Sequence, residues 1–439
     1  MKKICPNLSR TPYLLSLFLF LFIVSVHSQS ASPVLQPGKL ETEAAGFSPE
    51  RLKRIDDAIK GWIAKDYMNG CAALIIRDGK IAYYKSFGYT KPNRKGEIDK
   101  DDIFRIASQT KAITSVAVMM LYEEGKFLLR DPVSKYIPEF ANAKVIEKFN
   151  LDDTTYTTRP AKREVTIHDL LTHTSGIGYA QIGSKEANAM YAKNGVVGGI
   201  GVGKILLADK IKILGTLPLF HDPGSEYTYG LNTDVLGYLV EVVTGMSLAE
   251  FFSKRIFEPL GMRDTYFYLP SSKSKRLLPL FSEENGKLKE TDNPYKLNGD
   301  FNPNFPADKG TYFSGGGGLS GTIYDYAVFL QMLLNGGEYN GVRILSPTSV
   351  RLMTTNQIKT LNRGNGAKFG LGFGLTTEES SAFTPLNVGS FEWGGMFAST
   401  YWVDPKEKLI GLFYRNIYPT THGELADYFK ILTYQALVK

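Results

Sequence analysis

The 439-residue chain is poor in cysteine, with only Cys5 and Cys71. Cys5 precedes an apolar N-terminal run, so a mature chain lacking that run keeps one thiol and forms no internal disulfide. Cys71 lies in the apolar stretch Cys71-Ala-Ala-Leu-Ile-Ile76, with no cysteine or histidine at ligand spacing. That excludes a thiol nucleophile and a zinc site there and leaves a small core residue. No Gly-x-Ser-x-Gly elbow occurs anywhere, which counts against a Ser-His-Asp hydrolase based on His168 or His173. Neither sign of charge dominates: 51 basic residues face 44 acidic ones, for a net +7. No basic run is interleaved with aromatics, so nucleic acid is not an expected partner. Solenoid-type repeats are also missing. Hydrophobic residues at 43% and charged ones at 22% are those of a globular chain.

The one long hydrophobic run is at the start. Lys2, Lys3 and Arg10 precede Tyr13 to Val26, and Val26 and Ser28 offer small residues for cleavage. Residues 1–28 therefore read as a signal peptide, whose fourteen-residue apolar run is too short to span a bilayer comfortably. Its removal takes three positive charges from the net +7. The mature protein is expected to be periplasmic or secreted, with no stable membrane span. Residues 29–45, polar and containing two prolines, read as a linker.

Beyond that, Ser48-Pro49-Glu50 marks a helix start, followed by Leu52, Ile55, Ile59 and Trp62 at helical spacing. The apolar runs Cys71–Ile76 and Ile81–Tyr84 flank Asp78-Gly79, a hairpin signal. A second helix is predicted from near Ser108 to Gly125, with Ile113, Val116, Ala117 and Met120 as its buried stripe. Residues 145–310 are rich in polar loops and short helical patterns. The last third adds a helix at Ile323–Leu334 and strand-like runs at Tyr401–Val403 and Leu409–Tyr414. The expected architecture is an α/β domain over 46–439. It is built from about 46–144 and 311–439, with a mainly helical insertion over about 145–310.

Ser108-Gln109-Thr110-Lys111 carries the chemistry best. Three residues apart on a helix, the two side chains share a face. A serine hydroxyl is a weak nucleophile until a base takes its proton, and burial lowers a lysine's pKa enough for that role. A helix N-terminus also favours developing negative charge. The pattern alone is weak, because Ser272-Lys273-Ser274-Lys275 repeats it. That copy is flanked by charge and has no apolar face, so it reads as an exposed loop. A plain helix cap is the competing reading of Ser108.

Several further segments stand in a consistent order around Ser108. Phe104-Arg-Ile-Ala-Ser-Gln-Thr-Lys111 comes first, then Asp131-Pro-Val133 and Tyr136-Ile-Pro138. Ile167-His-Asp-Leu-Leu-Thr-His-Thr-Ser-Gly176 and Pro223-Gly224 follow. Tyr227-Thr-Tyr-Gly-Leu-Asn-Thr-Asp-Val-Leu-Gly237, Pro259-Leu-Gly-Met262, Gly316-Gly-Gly-Leu319 and Trp393-Gly-Gly395 complete the set. Together they resemble the serine β-lactamase and penicillin-binding protein superfamily over residues 47–439, and within it the β-lactamase-like carboxylesterases. The resemblance implies a β-lactamase/transpeptidase-like fold, an antiparallel sheet flanked by helices with a helical subdomain. It implies Ser108 as nucleophile, Lys111 and Tyr229 as its proton partners, and the backbone N–H groups of Ser108 and Met396 as an oxyanion hole. It implies no metal and no cofactor.

Two departures bear on substrate. Leu231 stands where β-lactamases usually carry asparagine, and Trp393-Gly394-Gly395 replaces a Lys-Thr-Gly-type motif. An indole packs apolar groups and cannot neutralise a carboxylate. A small neutral ester is therefore expected over a β-lactam or a D-amino-acid peptide, unless an arginine such as Arg363 or Arg415 supplies the missing charge. A β-lactamase, a D-Ala-D-Ala carboxypeptidase, an acyltransferase and a slow penicillin-binding sensor remain the alternatives. Gly198-Gly-Ile-Gly-Val-Gly-Lys204 has phosphate-loop spacing, but Ile205 stands where Ser or Thr is required, so it reads as a loop near the site mouth. Gly315–Gly318 reads as a tight backbone passage.

Overall fold

Both ends of the chain meet in one sheet. In the computed structural model, which describes residue 1 and residues 32–291 and 302–439, strand β1 (Gly70–Arg77) pairs with β2 (Lys80–Gly88) through the predicted hairpin. Asp78 and Gly79 take φ of +52° and +72°, the left-handed pair that a two-residue turn between right-twisted strands requires. Five more strands come from the last third: β3 (Lys368–Phe369), β4 (Gly374–Leu375), β5 (Phe391–Gly395), β6 (Ser399–Asp404) and β7 (Leu409–Tyr414). The order is β3-β4-β5-β6-β7-β1-β2, antiparallel throughout, with Ala72 opposite Tyr414 at the join of the two chain ends.

Helices cover both faces, so β1 is apolar from Cys71 to Ile76 instead of alternating. Cys71, Ala73 and Ile75 face the cluster of α1 (Pro49–Ala64), while Ala72, Leu74 and Ile76 face that of α2 (Thr110–Glu123). Cys71 is fully buried, and burial pushes its thiol far above the ordinary range. On the α2 side the core is completed by α3 (Asn232–Thr244) and α4 (Ile323–Leu334); on the α1 side it is closed by α5 (Leu425–Tyr434). Burying each large aliphatic or aromatic side chain contributes roughly 1.5–3 kcal/mol. Helix α2 is buried along its whole length from Thr110 to Leu121 and not only on the predicted stripe, so Lys111 enters the molecule's interior.

The region predicted as mainly helical holds α3 and shorter helices at Ile167–Leu171, Lys185–Lys193, Leu207–Thr216 and Leu248–Phe252. It also holds two hairpins that sequence reading did not foresee, Lys144–Asn150 with Thr155–Pro160 and Phe281–Glu284 with Lys287–Glu290. It shares the main core with α2, and residues 32–439 form one compact unit.

Of the expected linker, residues 32–45 are part of this unit. Leu35 is buried, its N–H donates to the Tyr339 hydroxyl at 3.0 Å, and Glu41 N–H donates to Ile81 O at 2.8 Å. An apolar residue among prolines found a partner surface, which polarity alone does not reveal. The expected signal segment lies outside the described residues apart from Met1. Among the described residues, no single helix is long and apolar enough to cross a membrane.

Candidate active site

Ser108 sits not at a helix cap but in a 3-10 turn, Ala107–Gln109, that runs directly into α2. Its hydroxyl caps no backbone N–H. Instead it accepts hydrogen bonds from Tyr229 Oη at 2.8 Å and Lys111 Nζ at 3.2 Å. Ala107, just before it, holds φ +43°, a left-handed conformation costly for a residue with a Cβ. The turn is held from several sides: Ile106 N–H bonds Leu319 O at 3.2 Å, Leu319 N–H bonds Thr110 Oγ1 at 3.1 Å, and Tyr326 Oη bonds Gln109 O at 2.9 Å. Strained backbone so pinned aims the serine outward, and Ser108 keeps partial exposure while its neighbours are buried.

Lys111 Nζ has two further acceptors, Gly316 O at 2.6 Å and Tyr179 Oη at 3.1 Å. It also lies 4.7 Å from the centre of the Tyr229 ring and 5.5 Å from that of Tyr179. Burial pushes its pKa down, as expected from sequence, but the two tyrosine hydroxyls around it outweigh burial. The net direction is up, opposite to the expectation. An ammonium donates three hydrogen bonds, which is the number of acceptors here.

The glycine passage is what makes room. A Cβ on Gly316 would lie 2.4 Å from Asp234 Oδ2 and 3.5 Å from Lys111 Nζ. The buried Asp234 carboxylate and the ammonium are therefore no more than about 6 Å apart, and only glycine fits between. Asp234 accepts from Ser314 Oγ at 2.6 Å; burial raises its pKa, with that bond and Lys111 opposing.

Tyr229 is carried on the loop entering α3 and is positioned by His173. Thr228 N–H donates to His173 O at 2.8 Å, and the imidazole Nδ1 receives Gly230 N–H at 3.4 Å and meets Asn232 Nδ2 at 2.9 Å. Burial, aided by Lys111 and Arg363, holds His173 well below the ordinary imidazole range, so it stays neutral. His168 meets Gln357 Oε1 at 3.2 Å. Neither histidine contacts Ser108; both hold structure. Leu231 is buried in the main core, and Asn232 beside it is spent on His173 and Ser175.

Strand β5 brings Trp393 alongside, its ring 5.6 Å from that of Tyr229 and 5.3 Å from that of Phe369. Gly395 abuts the nucleophile turn: a Cβ there would fall 2.3 Å from Ile106 O. Met396 follows at the strand's end, half-buried against the cluster of Ala107, Leu280, Phe305 and Phe397. The 198–204 loop reaches the same place. Ile200 packs on Gly317, and Gly199 lies against Ser314 and Asp234. The other tetrad stays outside, with Ser272 and Lys275 exposed and Lys273 paired to Asp264.

Sequence reading missed Tyr179 and the placement of Asp234. Tyr179 had a signal, an aromatic directly behind the Thr-Ser-Gly176 turn. Asp234 had one too, a carboxylate directly ahead of the apolar run Val235–Val240 of α3.

A partly exposed serine at a pinned turn, bonded by a phenol and a buried lysine, fits a serine hydrolase of the β-lactamase/transpeptidase fold. The comparisons with known proteins agree, and the chain belongs to the β-lactamase family, whose model matches residues 55–435. It is 33% identical over 360 residues to an uncharacterized protein of Mycobacterium tuberculosis, covering 79% of this chain and 85% of that one. Esterase EstB of Burkholderia gladioli is 29% identical over 379 residues, covering 84% and 90%. The solved structure of EstCE1, a hydrolase with promiscuous acyltransferase activity, superposes with a TM-score of 0.75 at 25% identity, over 88% of this chain and 99% of that one. The family's relatives include esterases, carboxypeptidases and acyltransferases.

Proposed function

We propose that the protein is a carboxylesterase that cleaves small acyl esters through a Ser108 acyl-enzyme. The observation that carries this is the trio of Ser108 Oγ, Tyr229 Oη at 2.8 Å and Lys111 Nζ at 3.2 Å. Ser108 attacks the ester carbonyl and its proton passes into the Tyr229–Lys111 pair, so the active pair holds one proton fewer than its full complement. The pair returns that proton to the departing alcohol. Water then repeats the sequence on the acyl carbon and frees the acid. The N–H groups of Ser108 and Met396 receive the oxyanion, supported by the tight approach of β5 to the nucleophile turn. The half-buried Ile200, Met396 and Tyr418, packed against the cluster that includes Ala107, suit an acyl chain. EstB and EstCE1 support an ester substrate.

Turnover decides the matter. A nitrophenyl acyl ester is expected to exceed a chromogenic cephalosporin and a D-Ala-D-Ala peptide in kcat/KM by tenfold or more. The reverse order overturns the esterase reading. We also propose export to the periplasm or beyond, supported by the basic start and apolar run. N-terminal sequencing is expected to begin near Gln29; a retained Met1 on membrane-bound protein contradicts it.

A further inference from the structure

We propose that Gln109 is a positioning residue, gripped by two buried tyrosines so that the Ser108 N–H stays aimed at the oxyanion. This rests on the Ser108 reading and adds to it what holds the oxyanion hole in shape.

Gln109 is fully buried directly behind the nucleophile and is fixed at three places. Its N–H donates to Ile106 O at 3.1 Å, its carbonyl accepts from Tyr326 Oη at 2.9 Å, and its side-chain Oε1 accepts from Tyr414 Oη. The two phenols come from separate elements, α4 and the central strand β7, and both are buried. A buried hydroxyl left unpaired is costly, so each tyrosine holds on to Gln109. The amide Nε2, by contrast, has no protein partner among the described residues. An apolar side chain of the same size would fill this interior without that cost. What accounts for the glutamine is the work of its oxygens.

What they hold is strained. Ala107 takes φ +43°, and the peptide that carries the Ser108 N–H turns with it. Ile106 N–H on Leu319 O secures the incoming side of the turn. Gln109 secures the outgoing side, together with Thr110 Oγ1 on Leu319 N–H at 3.1 Å. Loosened there, Ala107 would relax towards an ordinary conformation and the N–H would swing away. Among the described residues, Gln109, Tyr326 and Tyr414 make no hydrogen bond to Ser108 Oγ, Lys111 Nζ or Tyr229 Oη. The grip therefore acts on the oxyanion side of the reaction and not on the proton pair. In the Ser272 tetrad the equivalent position is Lys273, half-buried and paired with Asp264.

The test compares an oxo ester with its thiono analogue, in which sulfur, a weak acceptor, stands where the oxyanion forms. Wild type is expected to favour the oxo ester in kcat/KM. That preference should fall about tenfold in Tyr414→Phe, in Gln109→Met and in the double variant, the scale of one hydrogen bond. Loss of folded enzyme cancels in the ratio, and the pH dependence of kcat, set by Tyr229 and Lys111, should keep its position. The double variant separates positioning from packing. It leaves neither partner unpaired, so its thermal midpoint should return towards that of wild type while its preference stays low. An unchanged preference in the variants, or no preference in wild type, overturns the proposal and leaves Ser108 standing if a nitrophenyl alkylphosphonate labels the enzyme. No labelling of wild type overturns the Ser108 reading and this one with it.

Discussion

The chain contains the same tetrad twice, and the fold surrounds the two copies differently. In Ser108–Lys111, the lysine runs into a buried helix and finds two phenols, a carbonyl and a carboxylate nearby. In Ser272–Lys275, the lysine at the same spacing is exposed in a turn, and the intervening Lys273 is tied to Asp264. Spacing brings a serine and a lysine to one face of a turn. Reactivity comes from what surrounds them, because a solvated ammonium beside a hydroxyl is no different from one in bulk water.

The largest expected effect breaks that comparison outright. Ser108→Ala and Lys111→Ala should each lose several orders of magnitude in kcat, as removal of directly acting groups does, with far-UV circular dichroism unchanged. Ser272→Ala and Lys275→Ala should stay within twofold of wild type. A Ser108→Ala enzyme with full activity would return Ser108 to a structural role.

The two phenols sharpen it next. Tyr229→Phe removes the hydroxyl on Ser108 and should lower kcat by about 10²–10⁴, the usual scale of acid–base groups. Tyr179→Phe removes only an acceptor of Lys111 and should cost about tenfold, in the range of one charged hydrogen bond. Steady-state kinetics on one ester compares them, and equal losses would show that the two tyrosines act alike.

Asp234→Asn probes the field around the buried lysine. Removing a nearby carboxylate destabilises the ammonium, so the pH at which the Tyr229–Lys111 pair loses its proton should move down. The rising limb of kcat against pH is expected to shift to lower pH, whereas a purely structural loss would lower the plateau without moving the limb.

The smallest effect is on stability. His173 is neutral when folded, its pKa depressed below the ordinary 6.5. The unfolded chain therefore binds more protons below that value, and the His173 contribution is lost as pH falls through 6.5. The cost is bounded by about 1.4 kcal/mol per pH unit. The difference in urea midpoint between wild type and His173→Asn should narrow from pH 7.5 to pH 5.5. A constant difference would mean that the imidazole titrates equally in both states.

The sequence by itself determined the elements whose signals are local. Ser48 as the cap of α1, the Asp78-Gly79 turn, α4 and the last two strands follow from capping, turn chemistry and periodicity, and the ordered motifs led to Ser108, Lys111, Tyr229 and Trp393. Contacts between residues far apart in the chain were decided only by the tertiary structure. Tyr179 meets Lys111 across 68 positions, Gly316 across 205, and Arg363 reaches Trp393 from a separate loop. The protonation of Lys111 belongs with them. Burial alone lowers it, and its direction reversed because the fold surrounds that one nitrogen with oxygens from three other segments, a sum over neighbours that no local pattern encodes.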